Sequence, residues 1–207
     1  MKRKLLAGFM AVCLILTLLP ATALAAVTTE VNNAEELSQA IKNASSGDVI
    51  RLTEDITVDP LYAMDKGYQE EDEGPLDPAM TINEDITLDL NRHKIQWDIA
   101  KLPDGDDVDQ IYYTLCFLEV DGADLTIVGD GTIDAEAQMN NSYGIDIMNN
   151  GNVVIKDGTF TGATSAVQVQ EGTLTILGGT FKQADTIGEF VPDYAKYAVS
   201  YTHLTLP

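Results

Sequence analysis

From Ile50 onward, short apolar runs alternate with polar residues and break off at Asp, Asn or Gly. Ile50-Arg51-Leu52 precedes Ile56-Thr57-Val58, and Met80-Thr81-Ile82 precedes Ile86-Thr87-Leu88; each pair is joined through Glu-Asp, at Glu54 and Asp55 and at Glu84 and Asp85. The arrangement returns as Leu118-Glu119-Val120 with Leu125-Thr126-Ile127, Ile145-Asp146-Ile147 with Val153-Val154-Ile155, and Val167-Gln168-Val169 with Leu174-Thr175-Ile176. A third short run closes most units: Lys94-Ile95, Thr132-Ile133, Thr159-Phe160 and Thr180-Phe181. Period two throws alternate side chains to opposite faces, so these runs predict strands joined by turns. Before them, Asn33 with Glu36 forms a capping box, and Leu37, Ala40, Ile41 and Ala44 share one face of a helix predicted over about 33–45.

Two all-β arrangements fit such strands: an antiparallel sandwich, or a solenoid in which each unit is one coil stacked on the last. GNVVIKDGTF at 151–160 and GTLTILGGTF at 172–181 repeat almost the same phrase. A sandwich has no reason to repeat whole units, whereas stacking does, because inward side chains rest on their counterparts one coil away. The pattern therefore predicts an all-β parallel β-helix of about five coils over about 49–185, with an amino-terminal capping helix. Ile82, Val120, Ile147 and Val169 are expected to form one internal column, and Leu88, Ile127, Ile155 and Ile176 another. Gly-Thr is expected to mark the corner before each third strand. Winding is expected to be right-handed, the usual sense of parallel crossovers.

Composition changes the picture at both ends. Lys2, Arg3 and Lys4 precede an apolar run from Leu5 to Leu19, followed by Pro20 and Ala23-Leu24-Ala25, the form of a secretory leader over 1–25. The remainder is then exported, secreted or held at a cell surface. The run is too short for a membrane span and no second one follows, so no membrane insertion is expected. All 33 acidic residues fall after the leader, where only 9 of the 12 bases remain once Lys2, Arg3 and Lys4 are set aside. That imbalance repels a phosphate backbone and anionic lipid, so nucleic acid is excluded as a partner; cations and neutral glycans fit. Cys116 alone follows the leader, so no intrachain disulfide forms and it is expected to be a small buried apolar group.

VSYTHLTLP at 199–207 departs from the pattern and resembles translated read-through from a sequencing adapter. On that reading the native domain spans 26–198, is truncated at its carboxyl end, and is expected to self-associate through the unpaired edge left there.

The phrases GDVIRLTEDITV, ITLDLNRHKI, LTIVGDGTIDA and GTLTILGGTF resemble the right-handed parallel β-helix proteins of the pectate-lyase-like superfamily, bacterial surface members above all. In those members the second phrase commonly carries Gly-His-Thr; here Arg92 and Lys94 flank His93. The resemblance implies a secreted or cell-surface module, non-catalytic, for adhesion or for binding polysaccharide or surface glycan. It implies as alternative the amino-terminal part of a polysaccharide lyase or glycoside hydrolase whose active coils are missing. Family lyases use Arg-x-Pro-x-x-Arg, and neither Arg51 nor Arg92 sits in that motif.

Two unit-to-unit spacings are stretched, Asp59 to Ala79 and Trp97 to Leu115, and such insertions are expected on the lateral surface. The second holds Asp104, Asp106, Asp107 and Asp109, hard oxygen ligands suited to calcium, or else a solvated acidic loop. Trp97, Tyr112 and Tyr113 flank them as candidate faces for carbohydrate. The first insertion carries Glu70, Glu71, Asp72 and Glu73, read as solvated. No catalytic residue is assigned: Asp130 and Asp134 are read as turn residues and His93 as lacking a partner. Asn140, Asn149, Asn150 and Asn152 are expected to stack on asparagines of neighbouring coils or to turn the chain.

Overall fold

The computed structural model describes residues 26–59, 79–98, 100, 114–135, 141–162, 165–183 and 199–201. Strand β1 (Thr28–Val31) precedes helix α1 (Ala34–Lys42), and β2 (Val49–Leu52) and β3 (Ile56–Val58) follow. Then come β4 (Met80–Ile82), β5 (Ile86–Asp89) and β6 (Lys94–Trp97), and β7 (Thr114–Asp121), β8 (Asp124–Val128) and β9 (Thr132–Ala135). Last come β10 (Asn141–Met148), β11 (Gly151–Ile155), β12 (Thr159–Gly162), β13 (Ser165–Val169), β14 (Gly172–Ile176), β15 (Thr180–Gln183) and β16 (Val199–Tyr201).

Three sheets result: sheet A is β1-β2-β5-β8-β11-β14, sheet B is β3-β6-β9-β12-β15, and sheet C is β4-β7-β10-β13-β16. Every pairing within them is parallel. A chain that returns to the same sheet at every third strand, always in the same sense, is an all-β parallel solenoid. The sandwich is thereby excluded.

Both predicted columns form. Ile82, Val120, Ile147 and Val169 lie in direct register, as do Leu88, Ile127, Ile155 and Ile176 with Ile50 beneath them. A third runs through sheet B as Ile56, Ile95, Ile133, Phe160 and Phe181, where the two phenyl rings stack with centroids 5.2 Å apart. Burying each such aliphatic side chain contributes about 1.5–3 kcal/mol relative to exposure, so the columns are the main source of stability.

The first unit corrects the predicted phase. Val49–Leu52 lies under Ile86–Asp89, and Ile56–Val58 lies under Lys94–Trp97, so the pair at Ile50 and Ile56 is not the counterpart of the pair at Met80 and Ile86. The two Glu-Asp links therefore sit at different corners. They look alike because they do the same work: Asp55 Oδ1 accepts from the Lys94 N–H and Asp85 Oδ1 from the Asp124 N–H, each at 2.9 Å and 39 residues on.

Helix α1 fills the place where an earlier coil would lie. Leu37 and Ile41 enter the core and Ala40 and Ala44 pack against it, with α1 against β1 and β4. Asn33 caps it by accepting from the Glu36 N–H, while Glu36 Oε2 reaches back to the Asn32 N–H, one residue before the expected partner. Strand β1 had no alternating apolar signature, since only Val31 of its four residues is buried. It is held by Asp48, whose carboxylate accepts from Val27 and Ser45 N–H; these bonds hold that carboxyl below the usual carboxylate range.

The corners carry the predicted turn residues. Gly158 and Gly179 have φ of 110° and 98°, and Thr159 and Thr180 open the strands that follow. Asn149 and Asn150 turn the chain, with φ of 50° and 65°, rather than stacking as a ladder. At the corresponding corner before β6, Asn91 and Arg92 carry the left-handed conformation at φ 47° and 69°. Arg92 is exposed, and left-handed backbone costs a residue with a Cβ about 1–2 kcal/mol. Arg92→Gly is expected to stabilise by up to about 1 kcal/mol after the loss of unfolded-state restriction, checked by urea denaturation.

Corners from sheet C to A and from A to B use two to four residues, whereas all returns from B to C are variable. Both long insertions, after β3 and after β6, leave at that one corner.

Candidate functional site: the outer row of sheet C

Ile145 and Ile147 are fully buried in the interior, so Asp146 between them projects from the outer face of β10. In register beside it stand Glu119 on β7 and Gln168 on β13, with Thr81 on β4 next to Glu119. Four oxygen-bearing side chains thus line up across four coils at strand spacing of about 4.8 Å. Despite facing outward, Asp146 is only 9% exposed. Its Oδ2 accepts from Gln170 Nε2 at 2.6 Å, while Oδ1 is buried and has no hydrogen-bond partner.

Burial pushes the Asp146 carboxyl above the usual carboxylate range, against the opposing pull of the Gln170 amide and the Ile147 N–H. A sheltered carboxylate with an unpartnered oxygen costs stability; it is a feature a fold keeps for another reason. The sign with pH follows. Below the unfolded value of 3.8 both states hold the proton and the cost is absent; as pH rises through the raised native value, stability is lost. Asp146→Asn keeps the shape and removes the charge, so it is expected to stabilise by about 1 kcal/mol at neutral pH and by nothing in acid, measured as urea midpoints at both.

Cys116, at the same end of the row, is 7% exposed, and its thiol donates to the Leu118 carbonyl oxygen at 3.3 Å. Burial first, then the charges of Asp146 and Glu119, push the thiol well above its ordinary value, so it stays protonated as the expected small buried group. Ser165 Oγ, also in β13, is buried without a partner. Among the described residues, the strands of sheet C hold no Lys or Arg.

The predicted carbohydrate face at Trp97 is corrected. Trp97 is 3% exposed, and its indole stacks on Phe117 with centroids 3.9 Å apart and planes 17° apart. Its parity with Ile95 turns it inward at the end of β6, so neither ring face is open to a sugar. Tyr112 and Tyr113 lie outside the described residues, as do Asp104, Asp106, Asp107 and Asp109 of the calcium expectation and Glu70 to Glu73. No group of three metal-ligating side chains occurs among the described residues.

Asp134 is not a turn residue: it lies in β9 and pairs with Lys94 Nζ at 2.6 Å across sheet B. His93 does have a neighbour, with Nδ1 3.4 Å from Asp55 Oδ1. A cleft of about 300 Å³ opens between α1 and β1, lined by Glu30, Glu36 and Asp48 among others. Its Glu36 and Asp48 carboxylates already serve Asn32, Val27 and Ser45 N–H, so the cleft is part of the cap. Sequence reasoning passed over Asp146 and Gln170. An acid inside an Ile-Asp-Ile run reads as ordinary outward polarity, and nothing local signals that Gln170, 24 residues on, will shelter it.

Comparison with protein-family models, with curated proteins and with solved structures finds no match for this chain.

Proposed function

We propose that this chain is a secreted, right-handed parallel β-helix of the pectate-lyase-like kind that binds carbohydrate at a surface without turning it over. The row Thr81, Glu119, Asp146 and Gln168, beside the corner from which both insertions leave, carries the reading. Aligned carboxylate and amide oxygens suit the hydroxyls of a glycan laid along the rod, each coil offering one contact. Rigid stacking holds those contacts at fixed spacing, which reduces the ordering cost of binding. The excess of acid, −21 over the whole chain, accords with neutral or cationic glycans.

Incubation with a panel of neutral, amine-bearing and acidic polysaccharides tests this. Affinity electrophoresis is expected to show retardation by at least one neutral or amine-bearing glycan and release of no unsaturated or reducing ends. Retardation by none would overturn the binding reading.

A second reading, a glycoside hydrolase, has one observation in its favour. Glu119 and Asp146 are register neighbours at strand spacing, close to the roughly 5–5.5 Å between the carboxyls of retaining glycosidases. Asp146, with its raised proton affinity, would be the acid and Glu119 the nucleophile. Release of reducing ends by the native chain, abolished in both Asp146→Asn and Glu119→Gln, would establish it.

A further inference from the structure

We infer that the outer row of sheet C takes an amine-bearing glycan, one whose amino sugars carry free ammonium groups, in preference to an N-acetylated or uronic-acid glycan. The inference rests on the binding reading above and narrows its ligand class. Asp146 Oδ1 is the decisive atom: it is buried and unpartnered, and an ionised carboxylate can only accept hydrogen bonds. An ammonium group supplies both the missing donor and the missing counter-charge, and charge-assisted contacts of this kind are about twice as strong as neutral ones.

The surroundings exclude the opposite charge. Facing Asp146 from β7 are Glu119 and the protonated thiol of Cys116, with Asp121 further along the strand; from β13 and the turn after it come the neutral amides Gln168 and Gln170. Asp121 Oδ1 is engaged by Asn149 Nδ2 at 2.6 Å. With no Lys or Arg in the described strands of sheet C, a uronate laid on those strands would find like charge and no counter-charge among the described residues. An N-acetyl group would bring one neutral donor and no charge.

Access runs past Gln170. That residue lies exposed in the turn between β13 and β14, where its backbone N–H donates to the Ile147 carbonyl oxygen and its side-chain amide to Asp146 Oδ2. Swinging its side chain aside opens the carboxylate to the arriving ammonium, which supplies the donor that Oδ1 lacks.

Isothermal titration of the full chain at about pH 6 and about 0.15 M salt, where amino sugars carry charge and long-range attraction is screened, tests the inference. The probes are glucosamine hexamer, N-acetylglucosamine hexamer and galacturonate hexamer. The expected result is that the glucosamine hexamer binds at least about tenfold more tightly than the acetylated one, and that the galacturonate hexamer does not bind. Asp146→Asn is expected to lower glucosamine affinity about tenfold or more, while Glu35→Gln on the first turn of α1, an equal charge change outside the row, leaves it unchanged.

Equal losses in both variants would reduce the effect to net charge and overturn the inference. Equal binding of the glucosamine and acetylated hexamers would overturn it and leave glycan binding standing. Binding of neither would overturn both. Since Asp146→Asn is expected to be the more stable protein, lost affinity in that variant is not lost folding.

Discussion

Replacing Phe160 by alanine is expected to lower the unfolding free energy by about 3–5 kcal/mol, the largest effect of any single truncation in the chain. Phe160 is fully buried in the sheet B column, between Ile133 below and Phe181 above. Its ring stacks on Phe181 at an interplanar angle of 15°, so truncation removes buried area, leaves a cavity and ends the stack at once. Phe181 supplies the contrast: it is the outermost member of the column among the described residues and only half-buried. Phe181→Ala is expected to cost less than half as much, because stacked coils are stabilised by their neighbours and Phe181 has a described aromatic neighbour on one side only. Urea denaturation of both variants measures the ratio. Equal costs would mean that the two phenylalanines do not occupy successive rungs of one column.

Gly131→Ala is expected to be nearly as damaging, at about 3 kcal/mol, although it adds one methyl group at a corner. A Cβ there would lie 2.4 Å from the His93 carbonyl oxygen and 2.5 Å from Leu90 Cβ. Both belong to the coil below, and His93 is tied into it by its own N–H to the Leu90 carbonyl and by its carbonyl to the Thr132 N–H. The neighbour therefore cannot retreat without opening the rung-to-rung ladder. The glycine is required by the close approach of one winding to the next, not by a turn conformation, since its φ is ordinary. A thermal melt of Gly131→Ala unchanged from the native chain would contradict coils packed this closely at the corner.

Those two expectations mark what could be read from the residues alone. The columns were legible, because stacking demands like on like and period two assigns each side chain a face. Ile82 with Val120, and Leu88 with Ile127, could be paired before any coordinate was known. The phase of the first coil was not legible. Asp55 and Asp85 accept the same kind of backbone N–H from the coil above, at different corners, so local turn chemistry is degenerate with respect to corner. Strand β1 was invisible for a related reason: with α1 in place of the next strands, Thr28–Val31 needs a single buried side chain, and one residue makes no period.

The site was less legible than the fold. Trp97 looked like a platform for sugar because it borders an acidic insertion; its inward parity, set by Ile95 two residues earlier, places it in the core instead. Asp134 looked like a turn acid beside Gly131, and its partner Lys94 lies 40 residues earlier on the strand below. The neighbours that line and shelter Asp146 come from other coils: Glu119 from the one before, Gln168 and Gln170 from the one after. A solenoid writes its scaffold locally, in repeated phrases, and its sites between windings, where no single stretch of sequence records them.

Parallel stacking itself is most directly tested by a disulfide between rungs. Thr87 and Thr126 lie opposite one another on the outer face of β5 and β8, on successive coils, within the Cα separation that a disulfide spans. Thr87→Cys with Thr126→Cys is expected to crosslink under mild oxidation, whereas Thr87→Cys with Val154→Cys, two rungs apart at about 9.6 Å, is not. Crosslinking of the second pair in preference to the first, or of neither, would contradict coils laid one upon another in matching register.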